Sequence, residues 1–283
     1  MDEAIKKADV LIEALPYIKK FRGKTFVIKY GGSILFEETI REAVLSDIVF
    51  LYFMGINVVL VHGGGPNISE KFRKLNIKSK FHEGIRITDS DSLSIVEEEL
   101  MKLNKLIVDE ISQHGAKVKG LNGKDDLIYA EKKQAEIDLG LVGQVVNLNM
   151  ERFRKLIEKD HIIIVAPMGK DTKGTFYNIN ADEAASFVAL KLAAEKLVLL
   201  TDVRGVMSDP NDKDSLFSSL KESQIAELIK KKVISKGMIP KVQAGIGAIE
   251  GRTKKVHIID AKIPHALLLE IFTDKGIGTE IVK

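Results

Sequence analysis

The stretch Val27-Ile-Lys-Tyr-Gly-Gly-Ser33 sets a lone lysine inside an apolar run and follows it with two residues that lack side chains. A second stretch, Val58-Val-Leu-Val-His-Gly-Gly-Gly-Pro66, repeats the design. Each reads as a strand that ends in glycine, and Pro66 suits the first turn of a helix that opens directly afterwards. Strand, glycine turn and helix in succession build a parallel sheet covered by helices. Ligands of such sheets bind beyond the carboxyl ends of the strands. Glycine lets backbone N–H groups approach an anion there, and a helix start adds its positive end. Taken alone, either stretch fits a tight strand-to-helix turn equally well.

The same alternation continues outward. Strands are predicted at Thr25–Tyr30, Asn57–Val61, Ala116–Gly120, Ile162–Ala166, Lys196–Thr201, Lys255–Ile259 and Gly278–Val282. A helix over Glu38–Met54 carries Ile40, Val44, Ile48 and Leu51 on one face. A longer one over Ser90–Gln113 aligns Leu93, Val96, Leu100, Leu103, Ile107 and Ile111. Leu127–Asn149 and Met168–Asn178 break the rhythm; they are polar, dotted with glycine, and read as hairpins. Residues 3–20 read as an N-terminal helix through Leu11, Leu15 and Ile18, kinked at Pro16. The expected organisation is this N-terminal helix (1–22) followed by lobes over 23–190 and 191–283, with the boundary near Leu190.

Composition bounds the chemistry. The chain has 283 residues, 45% of them hydrophobic, enough for one large core or two joined lobes. The net charge is only +3 and lysines alternate with acids, unlike the clustered cations of a nucleic-acid surface. With no cysteine, disulfides, thiolate catalysis and thiolate metal sites are excluded. The N-terminus is charged rather than signal-like, and the longest apolar region, Val49–Val61, falls short of the roughly 20 residues a bilayer demands. A cytoplasmic protein, with no membrane and no nucleic-acid partner, is expected.

No P-loop pattern occurs, and both Gly63–Ile68 and Gly245–Glu250 fail the dinucleotide fingerprint. Four further fragments look like parts of a site: "EGIRITD" with Arg86, "YNINAD" with Asn178, Asn180 and Asp182, "LLTDVRGV" with Thr201 and Asp202, and "KGMIPK" with Lys236, Gly237, Pro240 and Lys241. Singly, Arg86 could be a surface charge, Asn180 or Asp182 a helix cap, Asp202 a turn residue and Lys241 a solvated lysine. Together they cluster on the strand ends and helix starts of one sheet.

In order and spacing, "KYGGS", "VHGGGP", "GIRIT", "NINAD", "LLTDVRGV" and "GMIPK" resemble the amino-acid kinase family, over nearly the whole chain, and most closely its acetylglutamate-phosphorylating, arginine-inhibited branch. "GKDD" at Gly123 and "DLGLVGQVVNLN" at Asp138 resemble that branch's substrate-covering hairpins. The resemblance implies an α/β fold: a three-layer αβα sandwich with a mainly parallel sheet. It also implies phosphorylation of the γ-carboxylate of N-acetyl-L-glutamate by ATP with Mg²⁺. On this sequence Lys29 and Lys241 would flank the transferring phosphoryl group and Asp182 would position both. Gly64, Gly65, Arg86, Asn178 and Asn180 would hold the acceptor. Gly31, Gly32, Thr201, Asp202, Gly237 and Met238 would lie along the nucleotide. The residues imply no metal ligands from protein side chains. A carboxylate acceptor, already ionised near neutrality, requires no general base; the absence of a catalytic-looking histidine fits.

"LIEALPYIKKFRGK" and "HALLLEIFTDKGIGTEI" resemble the helix and segment that give the arginine-inhibited members a homohexamer (a trimer of dimers) and feedback. By that resemblance Tyr17, Lys196, His265, Glu270 and Gly276 would surround L-arginine, and loss of residues 1–20 would leave insensitive dimers. Departures are the long polar segment Met207–Leu220 and the Ala261-Lys262 pair. The rival readings are a kinase for an N-blocked aminoadipate and an inactive arginine-binding regulator. The carbamate, uridylate and aspartate branches match "GIRIT" and "NINAD" less well.

Overall fold

Side-chain parity along the strands builds the three layers. Val27, Val59, Val61, Ile163, Val165, Leu197, Leu199, Val256 and Ile258 share one apolar cluster. The residues between them, Phe26, Ile28, Tyr30, Val58, Leu60, Ile162, Ile164, Val198 and Leu200, share the other. Strands apolar on both faces must be covered on both. Helices Ala181–Lys191 and Met238–Gly251 cover the first face. Helices Glu38–Phe53, Ser90–Gln113 and Ala266–Ile271 cover the second.

The computed structural model describes every residue except Met1, Pro210, Lys236, Asp274 and Lys275, and only the backbone of residues 2–4, 6–8, 10, 11, 33 and 213. Lys236 of the "KGMIPK" fragment and the Leu11 side chain of the N-terminal pattern thus lie outside the description. Among the described residues the central sheet has eight strands. Their order is Ser219–Lys221, Thr279–Val282, Lys255–Asp260, Lys196–Thr201, Thr25–Tyr30, Asn57–His62, Ile162–Val165 and Val118–Leu121. The last six are mutually parallel. Thr279–Val282 pairs antiparallel with Lys255–Asp260, and Ser219–Lys221 pairs parallel with Thr279–Val282.

The two expected hairpins exist, Ile128–Lys132 with Val142–Leu148 and Met168–Lys170 with Phe176–Ile179. They also pair with each other, Asn178 with Val142 and Tyr129 with Lys170, closing a four-stranded barrel. The N-terminal helix runs from Asp2 to Phe21 with Pro16 inside it. No helix among the described residues is long and apolar enough to cross a membrane.

Candidate active site

The three central strands end side by side at Tyr30, His62 and Thr201, so their following turns form one rim. Lys29 has the parity of Val27 and therefore leaves the sheet on the face that helix Ala181–Lys191 covers. There its ammonium meets Asp182 in the first turn of that helix, with Nζ 3.0 Å from Oδ1. Lys241, in the first turns of Met238–Gly251, reaches the other carboxylate oxygen, with Nζ 3.4 Å from Oδ2. One carboxylate thus gathers two lysines from distant parts of the chain.

Burial alone would raise the Asp182 carboxyl pKa; the charges of Lys29 and Lys241 overcome it and hold the group below the usual carboxylate range. Asn180 fixes the turn, its Oδ1 accepting from the N–H groups of Asp182 and Glu183, a helix cap. The lone cation of the opening stretch and its glycines are coupled. A Cβ on Gly31 would stand 3.0 Å from Lys29 Nζ and 3.3 Å from the Gly63 Cα, tighter than ordinary contact, so the bare backbone of Gly31 makes room for the ammonium and the neighbouring turn. Gly32 follows at φ +84°, a backbone that side chains rarely adopt.

A cavity of about 220 Å³ opens here. Lys29, Gly32, Gly64, Gly65, Arg86, Asn178, Asn180 and Asp182 are among its lining residues. The Gly63–Gly65 turn borders this cavity. Its carbonyl oxygens are all engaged: Gly63 O lies 2.9 Å from His62 Nδ1, Gly64 O accepts from the Ile68 N–H, and Gly65 O accepts from Arg86 Nη2. Helix Gly65–Lys74 starts in this turn, and first-turn N–H groups have no intrahelical acceptor.

Arg86 is held rigidly. Its guanidinium donates to Ser79 Oγ, Ser69 Oγ and Gly65 O and stacks between the Phe72 and Phe81 rings, 5.2 and 4.7 Å from their centroids. Burial lowers its pKa without bringing it near neutrality. Asn178 donates to Thr88 Oγ1, and Thr88 donates in turn to Arg86 O, which ties the barrel to the arginine.

A second cavity of about 430 Å³ lies beyond the neighbouring strand end, with Asp202, Gly205, Met207, Asn211, Met238 and Asp260 in its wall. Of the residues expected there, Asp202 and Met238 line it. Thr201 is buried, its hydroxyl on Asp202 Oδ1, and Gly237 lines a third and larger space of about 970 Å³ between the helices and the first hairpin. That larger space is lined by none of Lys29, Asp182 or Lys241. Met207 and Asn211 place part of the long polar segment at the second cavity.

The other expected cluster forms at the opposite face. Lys196 Nζ lies 2.7 Å from His257 Nε2, and His257 Nδ1 lies 2.6 Å from Glu270 Oε1. Glu270 Oε2 accepts from the N–H groups of Ile277 and Gly278, and Gly276 lies against the same carboxylate. Tyr17 packs edge-on to Phe272, which follows Glu270 closely in the chain. Burial lowers the Lys196 pKa to about 8, with the Lys255 charge adding to the effect. His265, expected in this group, instead contacts Asp47 Oδ1 at 2.7 Å, and His257 stands between Lys196 and Glu270. Strand parity could have found it: His257 alternates with Val256 and Ile258 and so faces the layer of the Ala266–Ile271 helix.

A parallel αβα sheet, a glycine-rich rim and two lysines on one carboxylate define a phosphotransferase-like cleft, and the comparisons agree. Residues 24–260 match the amino acid kinase family, to which the chain belongs. Among curated proteins, the acetylglutamate kinase of Carboxydothermus hydrogenoformans is 50% identical over 290 residues, with 99% of each chain covered. The N-acetylglutamate synthase of Neisseria gonorrhoeae, solved with coenzyme A and N-acetyl-glutamate, superposes with a TM-score of 0.88 at 25% identity. This chain is covered to 98% in that match but spans only 63% of the synthase. The same synthase solved with coenzyme A and L-arginine matches at TM-score 0.83, also at 25% identity, covering 98% of this chain and 65% of that one.

Proposed function

We propose that this chain transfers the γ-phosphoryl group of ATP to the γ-carboxylate of N-acetyl-L-glutamate, a step of arginine biosynthesis. The observation that carries the reading is the convergence of Lys29 and Lys241 on Asp182 beside the glycine cradle. The relative at 50% identity over the full length supports the substrate.

The acceptor carboxylate is an anion at neutral pH and attacks without losing a proton. The barrier lies in bringing it against a polyanion, so charge neutralisation and alignment must supply the catalysis. Lys29 and Lys241 neutralise charge on the migrating group, and Asp182 holds them apart from each other and in place. The Gly64 and Gly65 N–H groups add two neutral donors. Arg86, rigid between two rings, turns its fixed positive charge and remaining N–H donors to the acceptor's α-carboxylate, and Asn178 and Asn180 take its amide side. The nucleotide extends to the Asp202 and Met238 cavity, so that residues 23–190 carry the acceptor and 191–283 the donor. Mg²⁺ bound to the ATP substrate would supply further positive charge at the phosphates; among the described residues no His, Asp and Glu cluster is placed to hold the ion by itself.

The reading extends to inhibition by L-arginine. Glu270, buried and already meeting several N–H donors, is a natural guanidinium partner, grouped with Lys196 and Gly276. The neighbouring synthase was solved with L-arginine. Ile5, Ile12 and Leu15 are exposed on the N-terminal helix, in keeping with that helix joining dimers into a hexamer.

The test is an ATP-consumption assay over a panel of acceptors, N-acetyl-L-glutamate, N-acetyl-L-aminoadipate, carbamate, uridylate and aspartate, with arginine titrated in. N-acetyl-L-glutamate should lead the one-methylene-longer acid by about 10–200-fold in kcat/KM. Preference for the longer acid, or no consumption with any acceptor, refutes the substrate assignment. Undiminished turnover in saturating arginine refutes the regulatory part.

A further inference from the structure

His62 ends the Asn57–His62 strand directly before the glycine cradle and is wholly buried. Each ring nitrogen has one partner, Nδ1 the Gly63 carbonyl at 2.9 Å and Nε2 the Asn104 Nδ2 at 3.1 Å. Asn104 projects from helix Ser90–Gln113 and is buried as well. The same Nδ2 lies 3.3 Å from the carbonyl oxygens of Leu121 and Ile164, at the ends of the two adjoining strands. Carbonyl oxygens only accept, so this end of Asn104 must be its NH₂ group. His62 Nε2 then accepts, and the proton of the neutral ring sits on Nδ1, which donates to Gly63 O. Burial lowers the His62 pKa to about 4, so the ring is uncharged at neutrality. The sheet makes room for the amide: a Cβ on Gly120 would stand 2.2 Å from Asn104 Oδ1.

The peptide unit joining Gly63 to Gly64 is planar and trans, so its C=O and N–H point in opposite directions. A carbonyl drawn inward to His62 therefore turns the Gly64 N–H outward. Gly63, Gly64 and Gly65 line the cleft with Lys29, whereas His62 is not exposed to it. We propose that His62, fixed as its Nδ1–H tautomer by Asn104, is a positioning residue that aims the Gly64 N–H at the anion in the cleft. This rests on the cleft being the phosphoryl-transfer site.

Two experiments test it. The first records ¹⁵N shifts of the histidine rings in the full chain, with His62 assigned by its loss in His62→Asn. His62 should be protonated on Nδ1 and should not titrate between pH 8 and 5.5; an Nε2–H ring overturns the proposal. The second compares kcat/KM for N-acetyl-L-glutamate in two substitutions. His62→Asn places an amide nitrogen where Nδ1 stands and should keep activity within about threefold. His62→Gln fills more of the ring's volume but places its nitrogen towards Asn104, and should lose about 10²-fold, the scale of a misaimed group. A role in core packing alone would favour glutamine, so equal losses, or glutamine outperforming asparagine, overturn the proposal. If the unsubstituted chain phosphorylates none of the acids, the proposed function fails instead, and the tautomer measurement still decides the place of His62.

Discussion

Substituting Asp182→Asn keeps the shape of the carboxylate and removes its charge. At separations of 3.0 and 3.4 Å the two lysine contacts are each worth about 5 kcal/mol of gross attraction at an effective dielectric near 20. Desolvation of three charges offsets much of this, and removing one partner from a buried pair costs about 3–5 kcal/mol in net stability. Against the roughly 5–15 kcal/mol that holds a domain folded, the variant should be weakened but still native at pH 7. Its lysines, no longer held, should repel, and turnover should fall by about 10² or more. Urea unfolding of both proteins from pH 7 down to pH 3 supplies the sharper check. The folded-state pKa of Asp182 is depressed, so its contribution is complete above the unfolded value of about 3.9 and disappears as pH falls through the folded one. The gap between the two proteins should therefore be constant from pH 7 to about 5 and should begin to narrow only below about pH 4. A gap under about 1 kcal/mol, or one that does not change with pH, refutes the reasoning.

Lys241→Ala should lower the unfolding midpoint less than Asp182→Asn does, because Lys29 keeps the carboxylate paired, and should lower kcat by about 10²–10³, read by steady-state kinetics with saturating ATP. Arg86→Lys loses the fork to Ser69, Ser79 and Gly65 and the stacking between Phe72 and Phe81; KM for N-acetyl-L-glutamate should rise at least about tenfold with a smaller change in kcat. Lys196 loses its proton near pH 8 when folded and near 10.4 when unfolded, so in that window the unfolded chain binds more protons and stability must rise with pH. The melting temperature of the unsubstituted chain, measured relative to Lys196→Met, should climb between pH 8 and 10; a flat or falling difference contradicts the buried ammonium.

The sheet and its rim were legible because they depend on period. Strands such as Asn57–His62 are apolar on both faces, and only a sandwich covers both. Lys29 announced itself as the one cation in such a run, and the glycines behind it had no role in a covered strand. The pairing of the two hairpins into a barrel was not legible, since Asn178 meets Val142 only through a closure that neither hairpin encodes locally. Asn104 sits among apolar positions of its helix and reads as a surface break until Leu121 and Ile164 are brought to its amide. His257 went unread for a related reason: it reaches Glu270 from its strand across the layers, while His265, just before the helix that bears Glu270, contacts Asp47.

The central claim is that two ammonium groups act on one migrating phosphoryl group. It is tested most directly by a structure of the chain with ADP, Mg²⁺, a metal fluoride in place of that group, and N-acetyl-L-glutamate. Lys29 Nζ and Lys241 Nζ should each lie within about 3 Å of the fluorides, at hydrogen-bonding distance. A complex in which either lysine stays on Asp182 alone, with the fluoride out of its reach, contradicts the account.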